Sequence, residues 1–283
     1  MTARIEALDD PRVVPYRDLR EGRLLEEQGC FVAESRHVVR RLLASGRFPV
    51  RSLFVTEAAL ADLAGALAPL ETPPPVLLAE HALLCEVAGY HVHQGCLALA
   101  ERGAEPSLEE VARTAAAGRG LLVGLEQLTD PANVGSVFRN ALAFGADAVL
   151  LAPGGAHPLF RKSVRVSMAA TLAVPFARAE PWPAALGKLR AEGFLVLACV
   201  AQPGALELRS FGGERPLPER VVLLFGSEGV GLSAAARAAA DFEITVPTAP
   251  GVDSLNVATA SGIVLHHFSR DAHGRGRSAP GPG

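Results

Sequence analysis

Several features are scarce in this 283-residue sequence, and each scarcity excludes a class of protein. The four cysteines show no C-x-x-C spacing, so the sequence predicts free, buried thiols. His91 and His93 are spaced like metal ligands, but no nearby carboxylate or thiolate completes a set, so no metal is predicted. Apolar runs are interrupted by Gly, Pro or Arg well before they could span a bilayer. No apolar stretch follows the first positive charge, which predicts no signal peptide and a cytoplasmic protein with no membrane partner.

The chain is also poor in lysine and, in one segment, in acidic residues. Only two of its 27 basic residues are lysine, and no Asp or Glu lies between Ala148 and Ala179. Arginine suits phosphate contacts, although a GC-rich coding bias produces the same enrichment. The formal net charge of −3 does not indicate a polyanionic partner, and a basic run is more often a solvated face than a nucleic-acid site. Two local concentrations of positive charge remain as candidates, and they include Arg36, Arg40, Arg41, Arg161, Lys162 and Arg165.

Apolar strands and helices alternate along most of the chain. From Leu121 onward the regular order of strand, loop and helix predicts an α/β fold with a mostly parallel sheet and helices on both faces. A polar segment over 101–107 separates this half from a smaller α/β module, in which we expect a helix over 31–44. Ser107 and Glu110 are spaced as a capping box. The predicted division is a domain over 1–103, a linker with a short helix over 104–119, a domain over 120–270 and a disordered tail over 271–283.

Three polar, glycine-bearing loops follow apolar strands, at 128–135, 225–233 and 247–256. Ligands of open α/β sheets bind at the carboxyl ends of the strands, so together these loops predict one shared ligand. Alone, the first loop is better interpreted as the start of a plain helix capped by Asn133 and carrying a surface arginine. The second loop is neither a Walker loop nor a G-x-G-x-x-G turn, so a phosphate or dinucleotide cradle fits it poorly.

The blocks "LTDPANVGSVFRNALAFGADAVLL", "LLFGSEGVGLS" and "ITVPTAPGVDSLNVATASGIVLHHF" resemble, in order and spacing, the SpoU (TrmH-type) RNA 2′-O-ribose methyltransferases of the SPOUT superfamily. The resemblance extends from Leu121 to about Ser269. It implies a trefoil-knot methyltransferase domain, a homodimer formed through that domain and S-adenosylmethionine as cofactor. The N-terminal segments "GCFVAESRHVVRRLL" and "HQGCLALA" are similar to the small α/β RNA-binding module often attached to such enzymes.

The resemblance also implies roles for particular side chains. The expected catalytic residues are Arg139, Asn133, Glu228, Ser254 and Asn256. The expected cofactor contacts come from Phe225, Gly226, Val246, Ser254, Leu255 and Asn256, and the basic residues named above would contact RNA. The sequence departs from the family pattern at two places. Thr248 stands where methionine is common, and Arg165-Val-Ser-Met-Ala169, followed by Ala170, stands where R-x-S-x-G is more usual.

The leading hypothesis is an enzyme that methylates a ribose 2′-oxygen in structured RNA. The extra N-terminal module favours ribosomal RNA, while transfer RNA remains open. A knotted RNA-binding protein without turnover is disfavoured because Asn133, Arg139, Glu228 and Asn256 are all present. A Rossmann-type nucleotide-dependent enzyme is disfavoured because the G-x-G-x-x-G sequence of such enzymes is missing. Guanidinium stays protonated in proteins, so we expect Arg139 to stabilise the developing alkoxide and to grip an RNA phosphate rather than to act as a base.

Overall fold

The structure is a computed structural model that describes residues 2–17, 23–202 and 204–269. Within these residues no helix is both long and apolar enough to cross a membrane. The same residues contain no group of three or more His, Cys, Asp or Glu side chains arranged to hold a metal ion.

The chain divides into two compact units. The first unit consists of Met1–Glu105 and His157–Ala173, and the second of Pro106–Ala156 and Val174–Gly283. The division after Glu105 falls within the predicted linker over 104–119. The sequence-based boundaries place residues 157–173 in the C-terminal domain, so the structure differs from them in this one segment.

The first unit is built on a five-stranded mixed sheet with the strand order β1-β4-β3-β5-β2. Its strands are β1 (Thr2–Arg4), β2 (Cys30–Glu34), β3 (Val50–Val55), β4 (Val76–Leu78) and β5 (Cys96–Glu101). Strand β5 runs antiparallel to both β2 and β3, and the remaining pairs are parallel. The helices are α1 (Arg23–Gln28), α2 (Arg36–Ser45), α3 (Glu57–Leu67) and α4 (His81–Ala88), followed much later in the chain by α7 (Arg161–Val166) and α8 (Ala170–Ala173).

The helix predicted over 31–44 is wrong in its first part. Residues Cys30–Glu34 form β2, which is buried along its whole length and pairs with β5. Ser35 has a φ of 91°, and its side chain accepts a hydrogen bond from the N–H of Val38, so α2 begins only at Arg36. A short apolar run is compatible with either a strand or a helix, and here the pairing with β5 decides between them.

A buried ion pair explains why residues 157–173 belong to the first unit. Helix α7 packs against β2, where the Glu34 side chain is 4% exposed. The Arg161 guanidinium donates to the Glu34 carboxylate at 2.6 Å and lies over the Tyr90 ring, 4.0 Å from its centroid. Arg165 approaches the other Glu34 oxygen at 3.4 Å. A buried carboxylate requires such partners, because removing it from water is costly.

The second unit contains a seven-stranded sheet in the order β10-β12-β9-β11-β6-β7-β8, and every strand pair in it is parallel. Its strands are β6 (Leu121–Leu125), β7 (Ala148–Leu151), β8 (Phe176–Arg178), β9 (Leu195–Cys199), β10 (Leu206–Glu207), β11 (Val221–Phe225) and β12 (Phe242–Thr245). Its helices are α5 (Leu108–Ala116), α6 (Pro131–Ala143), α9 (Ala185–Ala191), α10 (Ala234–Ala238) and α11 (Val257–Phe268). The predicted α/β class with a mostly parallel sheet is confirmed, as is the capping box of Ser107 and Glu110 at the start of α5.

Helices α6 and α11 lie against each other through small and polar residues. The Asn140 amide of α6 donates to the carbonyl of Ala258 at 2.7 Å and to the hydroxyl of Ser261 at 3.0 Å. A Cβ atom added at Gly262 would lie 3.3 Å from the same amide nitrogen. The small residues of α11 therefore permit the close approach of the two helices that position the loops described next.

Candidate functional site

Four neighbouring strands end at one edge of the second unit's sheet. The order β12-β9-β11-β6 is continuous and parallel, so their carboxyl ends lie side by side. The three predicted polar loops follow β6, β11 and β12. This is the sheet edge at which α/β proteins bind ligands.

The loop after β11 owes its shape to a glycine. The N–H of Gly231 donates to the carbonyl of Ser227 at 2.9 Å, which closes the loop into a tight turn. A Cβ atom added at Gly226 would overlap backbone atoms of Gly231 and Leu232. Gly226 is therefore required by the close approach of two backbone segments rather than by an unusual φ.

Side chains from the three loops are hydrogen bonded to one another. The Asn133 amide donates to a carboxylate oxygen of Glu228, and the Asn256 amide donates to the Asn133 side-chain oxygen at 3.3 Å. We call these three residues the Asn–Glu–Asn bridge. The Asn256 side-chain oxygen also accepts from the N–H of Ala258 at 2.8 Å, so Asn256 is the N-cap of α11. The bridge joins side chains for which the resemblance implies one shared site.

The prediction that Asn133 caps α6 is wrong. The helix begins earlier, at Pro131, and its N-cap is Asp130, whose carboxylate accepts from the N–H of Ala132 at 3.0 Å. Proline is well suited to the first helical position because it has no N–H to satisfy there. Asn133 consequently lies in the first turn, where its side chain enters the bridge instead of capping the helix.

Two of the three loops, those after β11 and β12, line a cavity of about 320 Å³. Five of the six residues expected to contact a cofactor line it, namely Phe225, Gly226, Val246, Ser254 and Leu255. Glu228 lines it as well, and Asn256 is connected to it through the bridge. The apolar part of the wall includes Leu232, Val257 and Val264. Such a combination of apolar wall, exposed loop backbone and few polar groups is typical of a small-molecule site.

The charged side chains of the cavity wall are two acids and one base. Among the described residues that line it, Glu228 and Asp253 are the acids and Arg237 is the base. Arg237 makes a two-pronged ion pair with Glu243, through Nε at 2.6 Å and Nη2 at 3.0 Å. The hydrogen bonds from Arg237 hold the pKa of the Glu243 carboxyl below its ordinary value. The pair therefore stays charged at neutral pH, and the guanidinium is fixed in orientation.

The cavity wall does not include three of the predicted catalytic residues: within the described residues Asn133 and Asn256 are connected to it through the bridge, and Arg139 is not. Arg139 lies on α6 and is exposed. Within the part of the chain that the structure describes, its guanidinium has neither a hydrogen-bond nor an ion-pair partner. An arginine in this state is available to a phosphate or another anion that arrives from solution.

A buried carboxylate that the sequence pattern does not indicate supports the loops. Glu126 follows β6 directly and is 4% exposed. One of its oxygens accepts from the indole N–H of Trp182 and from the hydroxyl of Ser233, and the other accepts from the N–H of Ser233, all at 2.7 Å. Since Ser233 is the N-cap of α10 and follows the glycine loop directly, Glu126 fixes the point where that loop ends.

A further part of the cavity wall, which the sequence pattern does not indicate, lies at the end of β9, from Cys199 to Gln202. The sequence gives no signal for this, because the position of β9 between β11 and β12 follows from the sheet order and not from the chain order. Burial raises the pKa of the Cys199 thiol well above its ordinary value, so this part of the wall is neutral at physiological pH.

The basic residues expected to contact RNA all lie in the first unit. Three of them are on α2, where each makes a contact within that unit: Arg36 with the carbonyl of Gln94 at 3.2 Å, Arg40 with the carboxylate of Asp62, and Arg41 with the carbonyl of Met168 at 3.2 Å. Arg161, Lys162 and Arg165 are on α7, where Arg161 and Arg165 approach Glu34 as described. The Arg161 side chain is the more deeply buried of these two, at 21% exposed against 43% for Arg165.

Comparison with known proteins extends these observations. The family model described as "SpoU rRNA Methylase family" matches residues 120–266. An uncharacterised tRNA/rRNA methyltransferase of Mycobacterium tuberculosis is 40% identical over 94% of this chain and 91% of its own length. The AdoMet-bound rRNA methyltransferase of Sinorhizobium meliloti has the same fold, with a TM-score of 0.78 and 24% identity over 94% of this chain and 97% of that one. A structure described as an RNA 2′-O ribose methyltransferase aligns with a TM-score of 0.73 and 25% identity over 94% of this chain and 98% of its own.

Proposed function

The chain belongs to the SpoU rRNA methylase family, and on that premise we propose that it transfers a methyl group from S-adenosylmethionine to a ribose 2′-oxygen of ribosomal RNA. The observation that carries the proposal is the Asn–Glu–Asn bridge, which joins the three loops beside one cavity. The tRNA/rRNA methyltransferase described for the similar mycobacterial protein supports an RNA substrate. The similar structure described as a 2′-O ribose methyltransferase supports the position of the methyl group.

The charges of the cavity wall fit this cofactor. S-Adenosylmethionine carries a sulfonium and an ammonium, and the wall offers the carboxylates of Glu228 and Asp253 for these cations. Apolar side chains such as Leu255 and Val257 suit the flat adenine ring, and the backbone of the loop at Gly226 offers hydrogen-bonding groups. When bound, the cofactor supplies an already activated methyl group, so the protein has chiefly to position the ribose and assist loss of its hydroxyl proton.

The residues of this chain divide that work. Arg139 grips an RNA phosphate and stabilises the negative charge that develops on the 2′-oxygen, because its guanidinium is exposed and has no partner within the described residues. Asn133, Glu228 and Asn256 hold the loops in register, and Ser254 lies on the cavity wall, where it orients the incoming hydroxyl. Arg139 stays protonated throughout, and the hydroxyl proton goes to the phosphate or to water.

The trefoil knot, the RNA-binding role of the first unit and the homodimer form the rest of the proposal. Two large apolar side chains support a second copy as the partner, since Leu142 of α6 and Ile263 of α11 are each 40% exposed. These helices contact each other, so the exposed side chains belong to one helix pair. Arg36, Arg40, Arg41, Lys162 and Arg165 supply positive charge to the RNA-binding unit.

The reaction is tested with ribosomal RNA from cells that lack the protein and with S-adenosylmethionine carrying a labelled methyl group. We expect label in alkali-stable dinucleotides, because alkaline cleavage requires a free 2′-hydroxyl. Label confined to bases would contradict 2′-O transfer, and label in transfer RNA alone would contradict the ribosomal substrate. Absence of label from both RNAs, with RNA binding retained, would indicate a binding protein without turnover.

A further inference from the structure

Arg237 has a donor group that the fold does not use. Its Nε and Nη2 atoms are both engaged with the two oxygens of Glu243. Within the described residues no partner contacts the remaining nitrogen, Nη1. The residue nevertheless lies on the cavity wall, and its side chain is 32% exposed. A guanidinium held on one side by a carboxylate can accept a second anion on its free side with little loss of conformational entropy.

We propose that Arg237 binds the carboxylate of the methionine part of the cofactor and thereby selects ligands that carry this group. The inference rests on the proposed function and adds a residue that neither the sequence pattern nor the resemblance indicates. It follows from charge, because Arg237 is the one basic side chain among the described residues that line the cavity. Glu243 is the positioning residue, since its two carboxylate oxygens accept from Nε and Nη2 and so fix the orientation of the guanidinium.

The test compares two ligands that differ only in the carboxylate. S-Adenosylmethionine and its decarboxylated analogue share the adenosine, the sulfonium and the ammonium. We expect calorimetry on the full chain to show that the natural protein binds the first about 10- to 100-fold more tightly, the range expected for one hydrogen bond to a charged group. Arg237→Met should weaken only the binding of S-adenosylmethionine, so that both ligands bind equally.

Two further variants keep the result interpretable. Arg190→Met is the matched control, because Arg190 pairs with Asp241 at 2.6 Å on the same unit and is absent from the cavity wall. It should preserve the preference for the carboxylate. Glu243→Gln leaves the guanidinium in place without its charged partner, and we expect it to reduce the preference only in part.

Several outcomes would overturn the inference. If Arg237→Met weakens both ligands equally, Arg237 supports the cavity or contacts the adenosine. If it weakens neither, Nη1 is simply solvated. The affinity for the decarboxylated analogue reports independently that the variant is folded. Failure of the proposed function would look different, since the natural protein would then bind neither ligand.

Discussion

Arg139 is the residue on which the proposed chemistry depends most. Its guanidinium is exposed and has no partner within the described residues, so it is free to contact a ligand. Arg139→Lys keeps the charge but removes the planar fork. We expect the turnover number to fall about 100-fold, the usual effect of removing one donor that faces developing negative charge, as measured by methyl incorporation into RNA.

The affinity for S-adenosylmethionine is the control for this variant. Arg139 is absent from the cavity wall, so the dissociation constant should not change. Turnover near that of the natural protein would show that a point charge is sufficient. A loss of cofactor affinity would instead assign Arg139 to the binding site.

Gly226 allows a second test at the scale of one residue. In Gly226→Ala the added methyl group overlaps backbone atoms of Gly231 and Leu232. The loop must therefore open, and the cavity wall that it forms must move. We expect at least an order-of-magnitude loss of cofactor affinity by calorimetry, since backbone cannot yield as a side chain can. Gly229→Ala is the matched control, because a Cβ atom there meets no atom within 4 Å. Equal affinity in the two variants would contradict the requirement for glycine at 226.

The sequence predicts which residues belong to the site better than it predicts what each residue does there. Asn133 lies in the first turn of α6 rather than before the helix, and its expected role as a helix cap belongs to Asp130. Both residues are good N-caps, and the choice depends on where Pro131 starts the helix. The link from Asn133 to Glu228 spans 95 positions of the chain and has no local signature.

Among the elements, those with long continuous apolar runs are predictable. The apolar runs at 121–125 and 221–225 predict two strands, and β6 and β11 occupy these same residues and are fully buried. The basic segment 159–170 predicts a single helix, but Met168 and Ala169 adopt φ angles of 52° and 68° and separate α7 from α8. Neither residue type signals a left-handed backbone in the sequence, since such angles are normally taken by glycine or asparagine.

Glu126 connects the end of β6 to the start of α10. The role of its carboxylate can be tested with glutamine, which has nearly the same shape. In Glu126→Gln an amide NH₂ replaces one oxygen. Either orientation sets this NH₂ against a donor, namely the Ser233 N–H or the Trp182 indole N–H. We expect the free energy of unfolding to fall by about 2 kcal/mol, the cost of an unsatisfied buried group, as measured by denaturant titration.

The reference for this prediction is a double variant. Adding Trp182→Phe to Glu126→Gln removes one of the two donors, so the amide can donate to the Ser233 hydroxyl while its oxygen accepts from the Ser233 N–H. Part of the lost stability should return. Additive losses in the double variant would mean that the two side chains act independently, contrary to the geometry.

For the whole molecule, the sequence predicts at which edge of the sheet a ligand binds, but it does not predict to which unit every segment belongs. The edge follows from parallel strands alone, since their carboxyl ends must lie together. Residues 157–173 lie in sequence between two strands of the second unit, and their place in the first unit depends on Glu34 and Arg161, which are 127 positions apart. No periodicity connects residues at that separation, and a basic helix is an equally good candidate for RNA contact.

Variants of the Glu34–Arg161 pair can distinguish whether Arg161 holds α7 on β2 or contacts RNA. Arg161→Met leaves the Glu34 carboxylate buried with only the more distant Arg165 as a cationic partner, so we expect a loss of about 3 kcal/mol in the free energy of unfolding. The double variant Glu34→Gln/Arg161→Met removes the charge from both partners and should recover most of that loss. If Arg161 only holds α7 on β2, the double variant will bind RNA as the natural protein does. If RNA affinity instead falls tenfold while stability is recovered, Arg161 contacts the RNA directly.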